Sequence, residues 1–260
     1  MDDTRGQLPD DHEVPDHGTH RSELLHPSEA TRTWVCVILA MTLPFCGSLF
    51  YFVILKESKV AQGLYASVKV FTLLWPLIAI RWIGIRRRIR SSPPPNHHVR
   101  ALPFGAISGV IIGASIITLF NLTPARDYVM QMAPRLRERL EFFGIHSVGV
   151  YMVWCVFLAG IHSLIEEYFW RWFVFETLLT LVARPIAYAL AALSFALHHY
   201  VLCWQYVSPI GAIIFGTGVG VGGLIWCWMV SWQRTLAGTW LSHAIVDAAI
   251  FVVGYQILFA

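Results

Sequence analysis

The sequence predicts an all-α fold, a polytopic transmembrane helix bundle of seven to eight spans, and its composition and apolar runs are the evidence. Hydrophobic residues make up 56% of the 260 residues and charged residues only 13%, whereas soluble domains carry about 25% charged residues. A helix needs about 20 consecutive apolar residues to cross a ~30 Å hydrocarbon core. The long continuous runs indicate helices, because the strands of a membrane barrel would alternate between apolar and polar residues.

Seven apolar stretches are long enough to cross a membrane, and short polar segments separate them. The predicted spans are residues 34–55, 60–85, 101–123, 147–180, 185–203, 207–230 and 236–258. The fourth stretch is long enough to be broken or tilted, and a break there would raise the count to eight.

The N-terminal segment has a different character from the rest of the chain. Residues 1–33 hold half of the 16 acidic residues and are rich in Asp, His, Pro and Gly. Such a composition cannot bury enough apolar surface to fold. We therefore predict a disordered acidic tail at 1–33 and a membrane helix bundle at 34–260.

Arginines at the end of the second predicted span and between the second and third spans predict the orientation of the bundle. Short loops rich in Lys and Arg stay in the cytoplasm. The cluster comprises Arg81, Arg86, Arg87, Arg88, Arg90 and Arg100. This pattern predicts an integral, multi-pass membrane protein whose N-terminus is cytoplasmic.

The fourth predicted span carries paired carboxylates, which are costly in a membrane. An ionisable residue at the bilayer centre costs about 2.5–3.5 kcal/mol on insertion scales, and so it usually pairs, faces a water-filled cavity or reacts. In the motif EExxxR, Glu167 and Arg171 are four residues apart and can pair, while Glu166 points about 100° away. Glu166 would then be free for proton transfer. The alternative is a salt bridge that marks the cytoplasmic end of a helix.

Two later spans add histidines. His198 and His199 follow Phe195 in the fifth span, and spacing alone does not decide which of them matters or whether they only pack. In the last span His243 and Asp247 lie four residues apart on one helix face. They could act together on a common ligand, or they could form a hydrogen bond that only locks two helices together.

Taken together, these three clusters bring proton-transfer groups from separate helices into an acid-poor bundle. A Glu, two His and an Asp can deprotonate a water, protonate a leaving amine and stabilise an oxyanion. No GxSxG motif of a serine hydrolase is present. The HExxH zinc motif is absent too, because His162 precedes Glu166 in the wrong order and spacing.

EExxxR, FxxxH and HxxxD, in this order on successive helices, resemble the motifs of the CPBP family. This family contains the type II CAAX prenyl endopeptidases and the bacteriocin-processing (Abi) membrane proteins. The resemblance covers about residues 147–258, which would be the catalytic part. It implies an intramembrane endopeptidase of the CAAX-protease type that hydrolyses a peptide bond in a lipidated or membrane-anchored substrate.

The resemblance also implies a role for each motif residue. Glu166 would be the general base that activates water, and His199, four residues after Phe195, would help to hold that water. Glu167 and Arg171 would be the supporting pair. His243 and the residue four later would stabilise the oxyanion. Asp247 replaces the commoner Asn there, so it is either protonated, an orienting partner of His243, or a metal ligand.

Cofactors and partners follow from the same resemblance. We expect either no cofactor or a zinc ion, for which Glu166, His199, His243 and Asp247 are plausible ligands. The expected partners are membrane lipid and a lipidated or hydrophobic peptide or protein substrate, with no nucleic acid. Two alternatives are a non-catalytic immunity or scaffold protein and a proton-coupled transporter, since Glu and His chains also relay protons.

Overall fold

The computed structural model describes residues 27–55, 58–83 and 97–259, and within these ranges the chain forms helices and no strands. Seven of the helices are long and apolar enough to span a membrane. This confirms the predicted all-α bundle. The helices are α1 (Pro27–Ile54), α2 (Lys59–Ile83), α3 (His97–Leu122), α4 (Ala125–Met130), α5 (Ala133–Phe142), α6 (Val148–Leu181), α7 (Arg184–Tyr206), α8 (Pro209–Gln233) and α9 (Leu236–Phe259).

The outer surface of the bundle is apolar, as lipid contact requires. Large aliphatic side chains such as Val60, Leu122 and Val156 are 73%, 79% and 74% exposed. In a soluble protein such extensive apolar exposure would favour aggregation. Together with the seven apolar helices, it identifies an integral, multi-pass membrane protein.

The long fourth stretch is a single span. Helix α6 runs through 34 residues without interruption, so the described part of the chain contains no eighth span. It absorbs its extra length through two π-helical segments, Leu158–His162 and Glu167–Phe175. Wider turns of this kind occur often at functional sites.

The N-terminal boundary differs from the prediction. Helix α1 begins at Pro27, so the last seven residues of the predicted tail are helical. Proline is favoured at the first helical position, where its missing N–H costs nothing, and the Thr33 hydroxyl donates to the Glu29 carbonyl oxygen at 2.7 Å. The rest of the predicted tail lies outside the described residues. So do four of the arginines that predicted the orientation, those at positions 86, 87, 88 and 90.

Glycines bring α3 into close contact with α9, the helix that carries His243. An added Cβ at Gly109 would lie 2.9 Å from the Ser242 carbonyl oxygen, and one at Gly113 would lie 2.9 Å from Ala249 Cβ. Small residues let membrane helices approach at this range. The close packing against α3 therefore fixes the position of α9, and with it the position of His243.

Candidate active site

The paired carboxylates lie in the middle of α6, at the junction of its regular and π-helical turns. Both are buried, Glu167 completely and Glu166 with 9% of its surface exposed. Arg171 Nη1 lies 3.0 Å from Glu167 Oε1. The predicted Glu167–Arg171 pair is therefore present. It lies inside the bundle, which excludes the alternative of a salt bridge at the end of a helix.

Aromatic rings surround the guanidinium of Arg171. Its Cζ lies 4.3 Å from the ring centroid of Phe195 on α7 and 4.9 Å from that of Trp226 on α8. Aromatic faces attract a desolvated cation by about 2 kcal/mol. This environment holds Arg171, and through it Glu167, at the junction of three helices.

The two neighbouring glutamates approach opposite ring nitrogens of His243. Its Nδ1 lies 2.8 Å from Glu167 Oε1, and its Nε2 lies 3.7 Å from Glu166 Oε2. An ionised carboxylate only accepts hydrogen bonds, so Nδ1 donates to Glu167. That bond orients Nε2 toward Glu166. Trp226 stacks on the imidazole with ring centroids 4.0 Å apart and limits its rotation.

Asp247 lies beside the same imidazole. Its Oδ1 is 3.6 Å from His243 Nε2, one turn further along α9. The distance is too long for a direct hydrogen bond but lies within the range of an ion pair. Asp247 thus joins the cluster at its edge, next to the nitrogen that faces Glu166.

Glu166 faces imidazoles from three directions. The Nε2 atoms of His162 and His198 lie 3.4 Å and 3.7 Å from its Oε1, while His243 approaches its Oε2. Sequence reasoning set His162 aside because it does not fit a zinc-protease motif. Its position four residues before Glu166 nevertheless predicts that the two side chains are neighbours, since residues at i and i+4 share a helix face.

The structure brings both histidines of α7 near Glu166, but they face differently. His198 lies in the wall of the cavity with Glu166, and its ring is parallel to that of Trp170. The Nδ1 of His199, the residue favoured by the family motif, lies 3.0 Å from the Phe195 carbonyl oxygen of its own helix. The family motif assigns His199 and not His198. Spacing alone does not show which of the two faces the cavity, because adjacent helical residues point about 100° apart and the rotation of α7 is not known from the sequence.

One group of side chains in the described residues could hold a metal ion, and it differs from the expected set. Ligand atoms of Glu166, His198 and His199 all lie within 4.8 Å of one another. Two His and one Glu form a known donor set of catalytic zinc, so these residues fit the ion chemically. His243 and Asp247 do not belong to this group, because Glu167 holds His243 on the other side of Glu166.

Glu166 opens onto a mostly apolar cavity of about 620 Å³. His162 and His198 flank it in the wall, and residues of α1, α2, α5 and α7 complete the lining. Ligand pockets typically measure about 300–1,000 Å³ and combine apolar walls with a few polar groups. This arrangement can place an apolar substrate group beside a carboxylate and several imidazoles.

Comparison with known families gives a match that covers the site. Residues 147–249 match the family model of type II CAAX prenyl endopeptidases, described as Rce1-like. No curated protein and no solved structure matches the chain. The matched region runs from the start of α6 into α9 and includes every site residue predicted from the sequence. This match confirms, over residues 147–249, the predicted resemblance to the CAAX protease (CPBP) family, which is a family of peptidases.

Proposed function

We propose that this protein is an intramembrane endopeptidase that hydrolyses a peptide bond near the lipidated C-terminus of a membrane-anchored substrate. One observation carries the proposal. Glu166, a buried carboxylate in the wall of an apolar cavity, has imidazoles from three histidines within 3.7 Å of its oxygens. Such a constellation supplies both a base and hydrogen-bond partners for a water molecule.

In the proposed reaction Glu166 is the general base. A water that is hydrogen-bonded to the Glu166 carboxylate beside the imidazoles of His162 and His198 gives up a proton to Glu166 as its oxygen attacks the scissile carbonyl carbon. The new C–O bond creates a tetrahedral oxyanion. Glu166 then passes the proton to the leaving nitrogen, the C–N bond breaks, and the products are a carboxylic acid and an amine.

His243 is the proposed donor to the oxyanion. The contact of its Nδ1 with Glu167 at 2.8 Å fixes the ring, and a protonated Nε2 then points into the same space as Glu166. Donors that are held in place before the reaction contribute strongly to acyl-transfer catalysis. Glu167 and Arg171 act through this imidazole, and Asp247 helps to orient the same ring.

If the enzyme uses zinc, the ligands would be Glu166, His198 and His199. The bound ion would polarise the carbonyl and lower the pKa of its water. Atoms bound at about 2.0–2.1 Å to tetrahedral zinc lie roughly 3.3 Å apart, and His198 Nε2 lies 3.7 Å from Glu166 Oε1. We propose direct activation by Glu166, because a carboxylate and several imidazoles can bind and deprotonate a water by themselves.

The substrate class follows from the cavity and the family. A C-terminal C-a-a-X box directs prenylation of its cysteine, and a prenyl chain is an apolar group that suits the cavity. We also propose that the N-terminus is cytoplasmic, on the basis of the arginines between the second and third spans. A tag at the N-terminus should then be protected from protease in sealed right-side-out vesicles and be cleaved once the membrane is permeabilised.

The function can be tested with the purified full-length protein in liposomes. It should cleave an S-farnesyl C-a-a-X peptide and release a short C-terminal fragment of defined mass. The same peptide without the farnesyl group serves as the control and should be cleaved much more slowly. Absence of any fragment from the farnesyl peptide, with the protein folded, would favour the non-catalytic alternative.

A further inference from the structure

Helix α2 presents a polar stripe to the cavity although it is a membrane-spanning helix. The stripe consists of Gln62, Tyr65, Lys69 and Thr72, whose spacings of three and four residues place them on one helix face. All four line the cavity that Glu166 opens onto. The family match begins only at residue 147, so this wall lies outside it.

Lys69 is the unusual member of this stripe. It lies ten residues after the start of α2, about 15 Å along the helix axis, and therefore near the middle of the span. A lysine at that depth costs about 2.5–3.5 kcal/mol on insertion scales, and its side chain is too short to reach the interface. Its presence calls for a polar cavity or an anionic partner.

No acidic side chain of the described residues lies within salt-bridge distance of Lys69. Its Nζ lies 5.3 Å from the ring centroid of Tyr65, and Lys69 and His198 line the same cavity. The ammonium is thus a cation on the wall that faces the catalytic candidates. It remains available to an anion that enters from outside the chain.

We propose that Lys69 binds the C-terminal carboxylate of the peptide substrate. This inference rests on the proposed endopeptidase function and adds a specificity-determining residue to it. A carboxylate accepts hydrogen bonds only, and the Lys69 ammonium and the Gln62 amide are donors on the stripe. The Thr72 hydroxyl donates to the Lys69 carbonyl oxygen at 2.8 Å, so its hydrogen is not available to the substrate carboxylate.

The position of Lys69 favours a peptide terminus over a lipid headgroup. Headgroup phosphates lie at the membrane interface, whereas Lys69 lies about 15 Å along the helix from its beginning. Glu166 and Lys69 line the same cavity, and three residues that follow a scissile bond span about 10 Å when extended. Recognition of the terminus would direct cleavage to C-terminal boxes and spare internal sequences.

The experiment compares two S-farnesyl tetrapeptides that differ only at the C-terminus, one a free carboxylate and the other a carboxamide. Binding is measured by fluorescence anisotropy in the Glu166→Gln background, where the peptide is not consumed. The second change is Lys69→Met, which removes the charge and keeps the length. Lys59→Met is the matched control, since Lys59 is on the same helix but outside the cavity lining.

With Lys69 intact, the carboxylate peptide should bind about 10- to 100-fold more tightly than the amide, as expected for a charge-assisted bond. Lys69→Met should abolish this preference, Lys69→Arg should keep most of it, and Lys59→Met should leave it unchanged. An equal preference with and without the Lys69 ammonium would overturn the proposal.

Cleavage of both peptides by protein with Glu166 intact separates the two claims. Cleavage without any preference for the carboxylate contradicts the role of Lys69 alone. A Lys69-dependent binding preference without cleavage supports the role of Lys69 and contradicts the endopeptidase function.

Discussion

Removal of Arg171 should destabilise the bundle severely, because it leaves a buried carboxylate without its partner. Glu167 and Arg171 are 0% and 1% exposed and their charged atoms are 3.0 Å apart. Breaking such a pair from one side typically costs about 3–5 kcal/mol. For a protein of this size each 1 kcal/mol corresponds to about 2–4 °C, so Arg171→Met should lower Tm by roughly 6–20 °C.

The double variant Arg171→Met with Glu167→Gln should recover much of this loss. It removes both charges, and the side-chain amide introduced by Glu167→Gln can still accept the hydrogen bond from His243. The contacts of Arg171 with Phe195 and Trp226 are still lost, and they account for about 2 kcal/mol that does not return.

The assay is a double-mutant cycle of thermal unfolding in one detergent at one scan rate, since membrane proteins often unfold irreversibly. Peptide cleavage measured on the same samples should be low in all three variants, because each removes at least one charge of the Glu167–Arg171 pair that positions His243. A double variant whose Tm falls by the sum of the two single losses would refute the coupling of this pair.

Three further predictions concern Asp247, the dependence on metal and the packing of α3 against α9. Asp247→Asn should keep much of the cleavage rate, because Asn still accepts a hydrogen bond and is the commoner residue in the family motif; a loss as large as about 10²-fold would instead make Asp247 an acid–base group. Activity should survive chelators and dialysis; stoichiometric zinc in purified protein, with activity lost on its removal and regained on its return, would contradict direct water activation. Gly109→Ala should destabilise the protein by about 1–3 kcal/mol through overpacking, since its Cβ would lie 2.9 Å from the Ser242 carbonyl oxygen; Gly63→Ala, in open space, is the control and should not lower Tm.

The membrane fold could be predicted because each span is marked by the hydropathy and length of its own residues. Each predicted span corresponds to one helix of the structure within a few residues, except at the N-terminus of α1. The Glu167–Arg171 pair was predictable for the same reason, since it depends only on spacing within one helix. No feature of the sequence marks the π-helical segments of α6, because a wider turn depends on packing against neighbouring helices.

The partners of Glu166 could be predicted only in part. The motif order assigned His199, but which of two adjacent imidazoles faces the cavity depends on the rotation of α7 in the bundle, and His198 is the one in the cavity wall. The sequence did not predict Lys69 as a site residue, because the cavity that its side chain lines is formed by helices far apart in sequence.

The central claim is that Glu166 is the base that activates water, and replacement by Gln tests it most directly. Glu166→Gln preserves the shape of the side chain and removes its proton affinity, so cleavage of the S-farnesyl peptide should fall by about 10²–10⁴-fold while peptide binding and Tm change little. Glu138→Gln is the matched control, an exposed glutamate of α5, and should cleave at the wild-type rate. Full cleavage by purified Glu166→Gln protein would contradict the account and move the base elsewhere, with Glu167 the next candidate.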